Sequence, residues 1–513
     1  MSFIVTPDPS NRQSTEWCRV VIRRRRIVAA AVAVAILAAI AFVAVELLAG
    51  DDAAGVLVPR TERTALDALA YDDSQAEDLE RAAALGLSHA LYTKSPGGVF
   101  ATAERTESFR PLVEDAVDDS GFEADLVEAI VFLESGGRQD AIAGDDPVAA
   151  SGLTQILAET GQSFLGMDVD LDVSRSLTVR IAGAVRRGDV AEAERLRERR
   201  REIDARFDPG QALAGTVRYL TTARERLGRD DLAVVSYHMG IGNLSNVLRA
   251  YAPGADLAIP DLVETEDLSW ARVFFDTAPD RNSGAHALLT RLGDDSPTYY
   301  WRVLAAQEIM RLYREDRDRL QELDLLHAAK GSAEEVLHPP FETERFADAT
   351  DLQRAWDDDV LHPLPDDPTS FGFAVDRTMG ELAARLGQPK ELYRGLRAEA
   401  LAALVYIGTR VQAMSAATQP LEVTSSVRDD AYQELLRSGN PEAAQGYSLH
   451  TTGFAFDVRR GYESGAQAQA FQFLLDDLTA RNLIAWVREP AAIHIAVGPE
   501  AKVLVPLLLE PKR

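Results

Sequence analysis

Cysteine is nearly absent: Cys18 is the only one in 513 residues. Intramolecular disulfides, iron–sulfur clusters and cysteine-ligated zinc are thereby excluded. Histidine is scarce too, eight in all, so two in one motif carry weight. Basic residues are outnumbered, 54 Lys and Arg against 81 Asp and Glu, for a formal net charge of −27. A surface of that sign repels phosphate backbones, and no nucleic-acid partner is expected. Internal repeats and extended low-complexity segments are lacking. At 46% hydrophobic and 26% charged residues, the composition is that of an ordinary globular protein with material for buried cores.

Only one apolar run is long. Residues 27–45 hold 19 positions without a charge. At ~1.5 Å per residue a helix of that length spans roughly 28 Å, about the hydrocarbon thickness of a bilayer. Arg23, Arg24, Arg25 and Arg26 precede it, and Asp51 and Asp52 follow. The positive-inside rule then predicts a cell-membrane protein with one pass, its N-terminus cytoplasmic and the remainder outside the cytoplasm. The run exceeds the apolar region of a signal peptide, and Glu46 with Leu47 and Leu48 makes a poor cleavage site. The first 50 residues hold six Arg and three acids, leaving 78 acids against 48 bases beyond them.

The expected fold class is multidomain: a single N-terminal transmembrane helix, a mostly α domain and a small α+β domain. The expected segments are a cytoplasmic tail over 1–26, a transmembrane helix over 27–48 and a helical tether over 49–105. Helical periodicity marks 109–133, 213–227, 232–251 and 299–325, with a charge-dense arm over 186–206. These form a first domain over 106–318. Pro339, Pro340, Pro363, Pro365 and Pro368 suggest a linker over 319–372. In the last domain, 373–513, a helix near 392–414 precedes β-like runs at 421–424, 453–458 and 493–497, with a helix at 468–479.

Two constellations carry chemistry. Glu134 ends the apolar segment Val131-Phe132-Leu133-Glu134-Ser135, and Gly136-Gly137 stops the helix. A carboxylate beside Phe132 and Leu133 is partly desolvated, which raises its pKa and suits a general acid. Downstream stand Ser151-Gly152-Leu153-Thr154-Gln155, Arg206-Phe207-Asp208-Pro209, Ala214-Gly215-Thr216, Ser236-Tyr237-His238-Met239-Gly240 and Tyr299-Tyr300-Trp301. This ordered series, over about 109–315, resembles the lytic transglycosylases with an SLT catalytic domain, a lysozyme-like fold. The resemblance implies Glu134 as catalytic acid and base, with no cofactor. It implies that Ser151, Gly152, Leu153 and Gln155 line a sugar groove and that Tyr237 bonds near the glutamate. Tyr299 or Tyr300 takes the place of the family's late tyrosine. His238-Met239 departs from the family's Asn-Ala, and the segments 165–207 and 253–296 are added length. Asp145 and Asp146 are the candidate second acids if the reaction is hydrolytic; a loop role is the simpler reading.

The second constellation is Ser448-Leu449-His450-Thr451-Thr452-Gly453-Phe454-Ala455-Phe456-Asp457, followed by Ile493-His494-Ile495. Two His and one Asp are ligands of the kind that hold a catalytic zinc and leave one position open. The pattern resembles the VanY-like zinc D,D- and L,D-peptidases of the LAS group, over about 375–500. That resemblance implies His450, Asp457 and His494 as Zn²⁺ ligands, Ser448 as their support, and Arg428 with Gln433 as binders of a substrate carboxylate. The family's general base sits in Glu-x-x-His. Here Glu489 stands five residues before His494 and is the candidate base.

Both resemblances point to peptidoglycan, its glycan strands and stem peptides. The expected activity is a lytic transglycosylase giving 1,6-anhydro-muramic ends, joined to a zinc peptidase. A hydrolytic muramidase is one alternative, and a wall scaffold whose last domain only binds peptide is another.

Overall fold

Helix boundaries follow local chemistry. The helix Pro209–Leu227 starts where the Asp208 side chain accepts from Gln211 N, has Pro at its first turn, and stops at a left-handed Gly228. The helix Ala124–Ser135 buries Val127, Ala129, Ile130, Val131 and Phe132 and ends at Gly136, whose φ of 60° is cheap only without a Cβ. Two expected long helices are broken. Gly240, at φ 84°, separates Asp230–Met239 from Ile241–Tyr251. Asp316 separates Tyr299–Glu315 from Arg317–Ala329 by capping Arg319 N. The charged arm is a helical hairpin, Leu171–Arg186 against Val190–Ile203, closed over Leu177, Ile181, Ala184, Ala193 and Leu196.

The computed structural model describes residues 68–253, 256–439 and 446–508. Its strands are β1 (His362–Pro363), β2 (Phe373–Val375), β3 (Gly395–Leu396), β4 (Leu421–Ser425), β5 (Ala455–Arg459), β6 (Ile484–Arg488) and β7 (Ala492–Val497). β1 and β3 form a small antiparallel pair; the rest make one sheet in the order β2-β4-β5-β7-β6. Only β2 and β4 run parallel in that sheet. Alternation sorts the two central strands. Phe456, Val458, Ile493, Ile495 and Val497 face a core shared with the helices Ala398–Ser415 and Gly465–Ala480. Asp457 and His494 are direct cross-strand partners and share the opposite face.

The multidomain expectation needs correction. The described residues belong to one compact unit, mostly helical with one small sheet. The segment expected as a tether is wedged into it. Leu69 joins the core under the sheet, and Ala83 packs in one cluster with Ala480 of the helix Gly465–Ala480. Gly86 touches the backbone there so closely that a Cβ would lie 1.9 Å from Thr479 O. Across the same seam Arg410 pairs with Asp280 at 3.1 Å, and Arg481 donates to Phe275 O. The segment expected as a linker is packed as well: Phe346, Leu352, Ala355 and Leu361 share a core with Val427 and Tyr432. Proline removes donors and breaks helices, but it does not prevent burial. Among the described residues no helix is long and apolar enough to cross a membrane. The run 27–45 lies outside the described residues.

Candidate functional site

Glu134 sits half-buried in the last turn of its helix. Tyr299 Oη donates to Glu134 Oε1 at 2.7 Å. Burial pushes the Glu134 carboxyl up to about 7, against the Tyr299 hydrogen bond and the Arg302 charge, which favour the anion. Tyr299 is itself buried, stacked near Tyr237 (ring centroids 6.3 Å apart) and beside His238 (5.2 Å). Tyr237 Oη donates to Thr154 O at 2.8 Å rather than to the glutamate, which acts on it only through charge. His238 Nδ1 lies 2.8 Å from Ser296 Oγ. Tyr300 feels the charges of Glu80 and Asp231 and packs on Trp301.

The loop 147–156 is fastened from beneath. Arg206 is fully buried and paired with Asp204 through Nε (2.9 Å) and Nη2 (2.7 Å). Its remaining donors reach Pro147 O, Ala149 O and Ile156 O. Ser174 Oγ donates to Asp204 Oδ2 at 2.7 Å, so the added hairpin braces the same network. Gly152 lies so close that a Cβ would stand 1.7 Å from Arg206 O. Ser151 exchanges backbone hydrogen bonds with Ile156, and Gln155 Nε2 donates to Gly152 O and Ala141 O. Leu153 is fully buried in the helical core. Asp146 is an exposed loop residue paired with Arg175. The sequence series thus holds a loop in place; its one direct partner for Glu134 is Tyr299.

The second site lies on the outer face of β5 and β7. Asp457 and His494 meet there through strand register, and His450 arrives from the turn Leu449–Thr452 just before β5. The Ser448 carbonyl accepts from Thr451 N and Oγ1 and so holds that turn. The three ligand atoms all lie within 4.8 Å of one another. His450 Nε2 and His494 Nδ1 stand 3.1 and 2.9 Å from the same oxygen, Asp457 Oδ1.

With their outer nitrogens so placed, the three residues form a group that could hold a metal ion. His450 Nδ1 is 2.8 Å from Ser426 O, and His494 Nε2 is 3.2 Å from Glu334 Oε2. Both neighbours accept, so those nitrogens carry the protons and the inner nitrogens present lone pairs. Three lone pairs that converge on one point repel one another unless a proton or a metal ion sits among them. Any extra proton in the cluster resides on His494: burial opposes it, but Asp457 and Glu334 push His494 up to about 10. Burial and the Arg428 charge hold His450 down at about 4. Asp457 is also buried, yet both imidazoles keep it well below the usual carboxylate range.

Arg428 and Gln433 are brought to this site, but inward. Arg428 donates to Asp457 Oδ2 (3.3 Å), Ser425 Oγ (2.6 Å) and Gln433 Oε1 (2.9 Å), so it braces a ligand. Glu489 occupies the β6–β7 hairpin, where its N–H donates to Ala492 O. Its charge is felt at Arg428. The residue that sequence reasoning missed is Glu334. It comes from the segment expected as a linker, 160 residues before His494; its nearest signal is the Lys330-to-Glu334 spacing, common on any helix. In comparisons with known proteins, no family model matches the chain and no curated protein matches it.

Proposed function

We propose that the chain remodels peptidoglycan by two separate chemistries, a lytic cleavage of the glycan at Glu134 and a metal-dependent action on stem peptides at His450, Asp457 and His494. The observation that carries the first is the carboxyl group of Glu134, balanced near neutrality and oriented by Tyr299. As an acid it donates its proton to the glycosidic oxygen between muramic acid and glucosamine, and that bond breaks. As a carboxylate it then accepts the proton of the muramic 6-hydroxyl, whose oxygen bonds to C1. The 1,6-anhydro end forms, no water is consumed, and Glu134 regains its proton.

At the second site His450, Asp457 and His494 would hold a zinc ion, which would supply Lewis-acid chemistry for peptide hydrolysis. The chain's own residues orient it: Ser426 O and Glu334 fix the two rings, and Arg428 fixes the carboxylate. Glu489 is the proposed base.

Mass spectrometry of muropeptides tests both parts. Intact peptidoglycan treated with the wild-type chain is expected to yield 1,6-anhydro ends and shortened or uncrosslinked stems. Glu134→Gln loses the first product alone, and a chelator loses the second alone. Reducing muramic ends from the wild type identify a hydrolytic muramidase instead. Zinc binding without any peptide cleavage identifies the second site as a recognition module.

A further inference from the structure

A buried carboxylate stands behind the metal-ligand set, delivered by chain far from it in sequence. Glu334 opens the short helix Glu334–Leu337 and is 3% exposed. Burying an ion is costly unless its lone pairs are matched, and here they are. Oε1 accepts from Lys330 Nζ at 2.6 Å; Oε2 faces Ser332 Oγ at 3.3 Å and His494 Nε2 at 3.2 Å. Lys330 Nζ also donates to Tyr447 O at 2.6 Å, three residues before His450. One lysine therefore ties the carboxylate behind His494 to the segment that carries His450.

The strap around Glu334 is pinned on both sides. His338 Nε2 lies 2.7 Å from Val497 O on the ligand strand β7, and its ring stacks on Phe454 at 4.1 Å. Tyr447 Oη donates to His338 O. Leu337 covers Gly498, where a Cβ would meet it at 3.0 Å. The strap follows directly on the helix Arg317–Ala329, whose Leu320 is buried in the same core as Tyr299.

We propose that Glu334 is a positioning residue of the metal centre: its carboxylate accepts from His494 Nε2, which fixes the ring with Nδ1 toward the ion. The proposal rests on the reading of His450, Asp457 and His494 as a metal centre. Glu334 lies at the edge of the imidazole opposite Nδ1, so it orients a ligand and does not serve as the base. Carboxylates in this relation to a ligating histidine raise its basicity and lock its tautomer, and losing one costs about 10- to 100-fold in metal affinity.

The test uses the full chain with zinc and, separately, cobalt(II). Competition against a chromophoric chelator gives zinc affinity, and the visible bands of cobalt(II) report ligand geometry. Glu334→Gln is expected to weaken zinc by about 10- to 100-fold and to shift the cobalt bands. Equal affinity and an unchanged spectrum overturn the role of Glu334 while the metal centre stands. A wild type that binds neither ion overturns the metal centre, and the proposal with it. Should Glu334→Gln fail to fold, nitrogen NMR of ¹⁵N-histidine-labelled, zinc-loaded wild type decides. A metal-shifted Nδ1 and a protonated, hydrogen-bonded Nε2 at His494 support the assignment; the reverse overturns it.

Discussion

Both candidate sites bury carboxyl groups, yet the two groups end up in opposite protonation states. Glu134 is raised to about 7, whereas Glu334 is lowered to about 2 although burial also acts to raise it. What differs is pairing. Glu134 has one neutral donor, Tyr299, with the Arg302 charge acting only through space. Glu334 has Lys330, Ser332 and His494 around it. Partnership, not depth, decides whether a buried carboxyl group holds a proton or a charge. The two sites exploit the two answers: a proton to give away near neutral pH, and fixed negative charge to orient a cation's ligands.

The strongest way to break this contrast is to remove the shared oxygen of the metal site. Asp457→Ala leaves two imidazoles, which hold zinc poorly. Metal analysis of the purified chain is expected to fall from one zinc to background, and peptide cleavage to fall below detection. Glycan cleavage is expected to persist. Its loss in a folded variant would show that the sites work as one.

Glu134→Gln attacks the other side and separates function from stability. Loss of a general acid costs about 10²- to 10⁴-fold in rate, read as 1,6-anhydro ends over time. The same change is expected to stabilise the fold. Because the folded pKa lies above the ordinary value of 4.5, the native state binds more protons between pH 4.5 and about 7. Stability is therefore lost as pH rises through that window, and glutamine removes the loss. Discounted for the partial exposure of Glu134, the expected gain at pH 8 is about 1–3 kcal/mol, fading by pH 4.5; urea denaturation at both pH values checks it.

Arg206 tests whether the first site depends on its scaffold as the second does. Removing one member of a fully buried ion pair costs about 3–5 kcal/mol. Arg206→Met also leaves the Pro147, Ala149 and Ile156 carbonyls without their donor. Thermal melts are expected to show that loss, with zinc affinity unchanged in the fraction that folds.

How far these sites could be read from the sequence follows the same line. The half-buried placement of Glu134 and the meeting of His450, Asp457 and His494 were legible because local rules place them: an apolar helix ended by glycine, and a histidine seven residues before an aspartate that opens toward a later strand. Tyr299 and Tyr300 could not be told apart, since adjacent helical residues differ by about 100° in direction and only packing chooses. β2 and β6 were missed: the first is three residues long, and the second lies in an apolar run that fits helix and strand alike. The packed tether and strap were invisible for a deeper reason. Their partners are more than 100 residues away, at Thr479, Tyr447 and His494, and no local period encodes such contacts. Glu334 belongs to that class.

The smallest expected effect sharpens the comparison most, because it tunes Glu134 without removing it. The Tyr299 hydroxyl favours the carboxylate form. Tyr299→Phe removes that bias and keeps the ring, so the Glu134 pKa rises further above 7. Glycan cleavage needs the protonated form, so its rate declines as pH rises through that pKa. The alkaline limb of the pH–rate profile is expected to move upward by about one unit, the scale of one hydrogen bond to a charged group. Below pH 6, where both proteins are protonated, the rates are expected to differ by less than about tenfold, the share left to orientation. Tyr300→Phe is the control, since its hydroxyl feels the charges of Glu80 and Asp231. It should leave the limb in place. If Tyr300→Phe moves the limb and Tyr299→Phe does not, the tyrosine at Glu134 is misassigned. If neither moves it, the limb does not report Glu134, and the contrast between the two carboxylates loses its kinetic meaning.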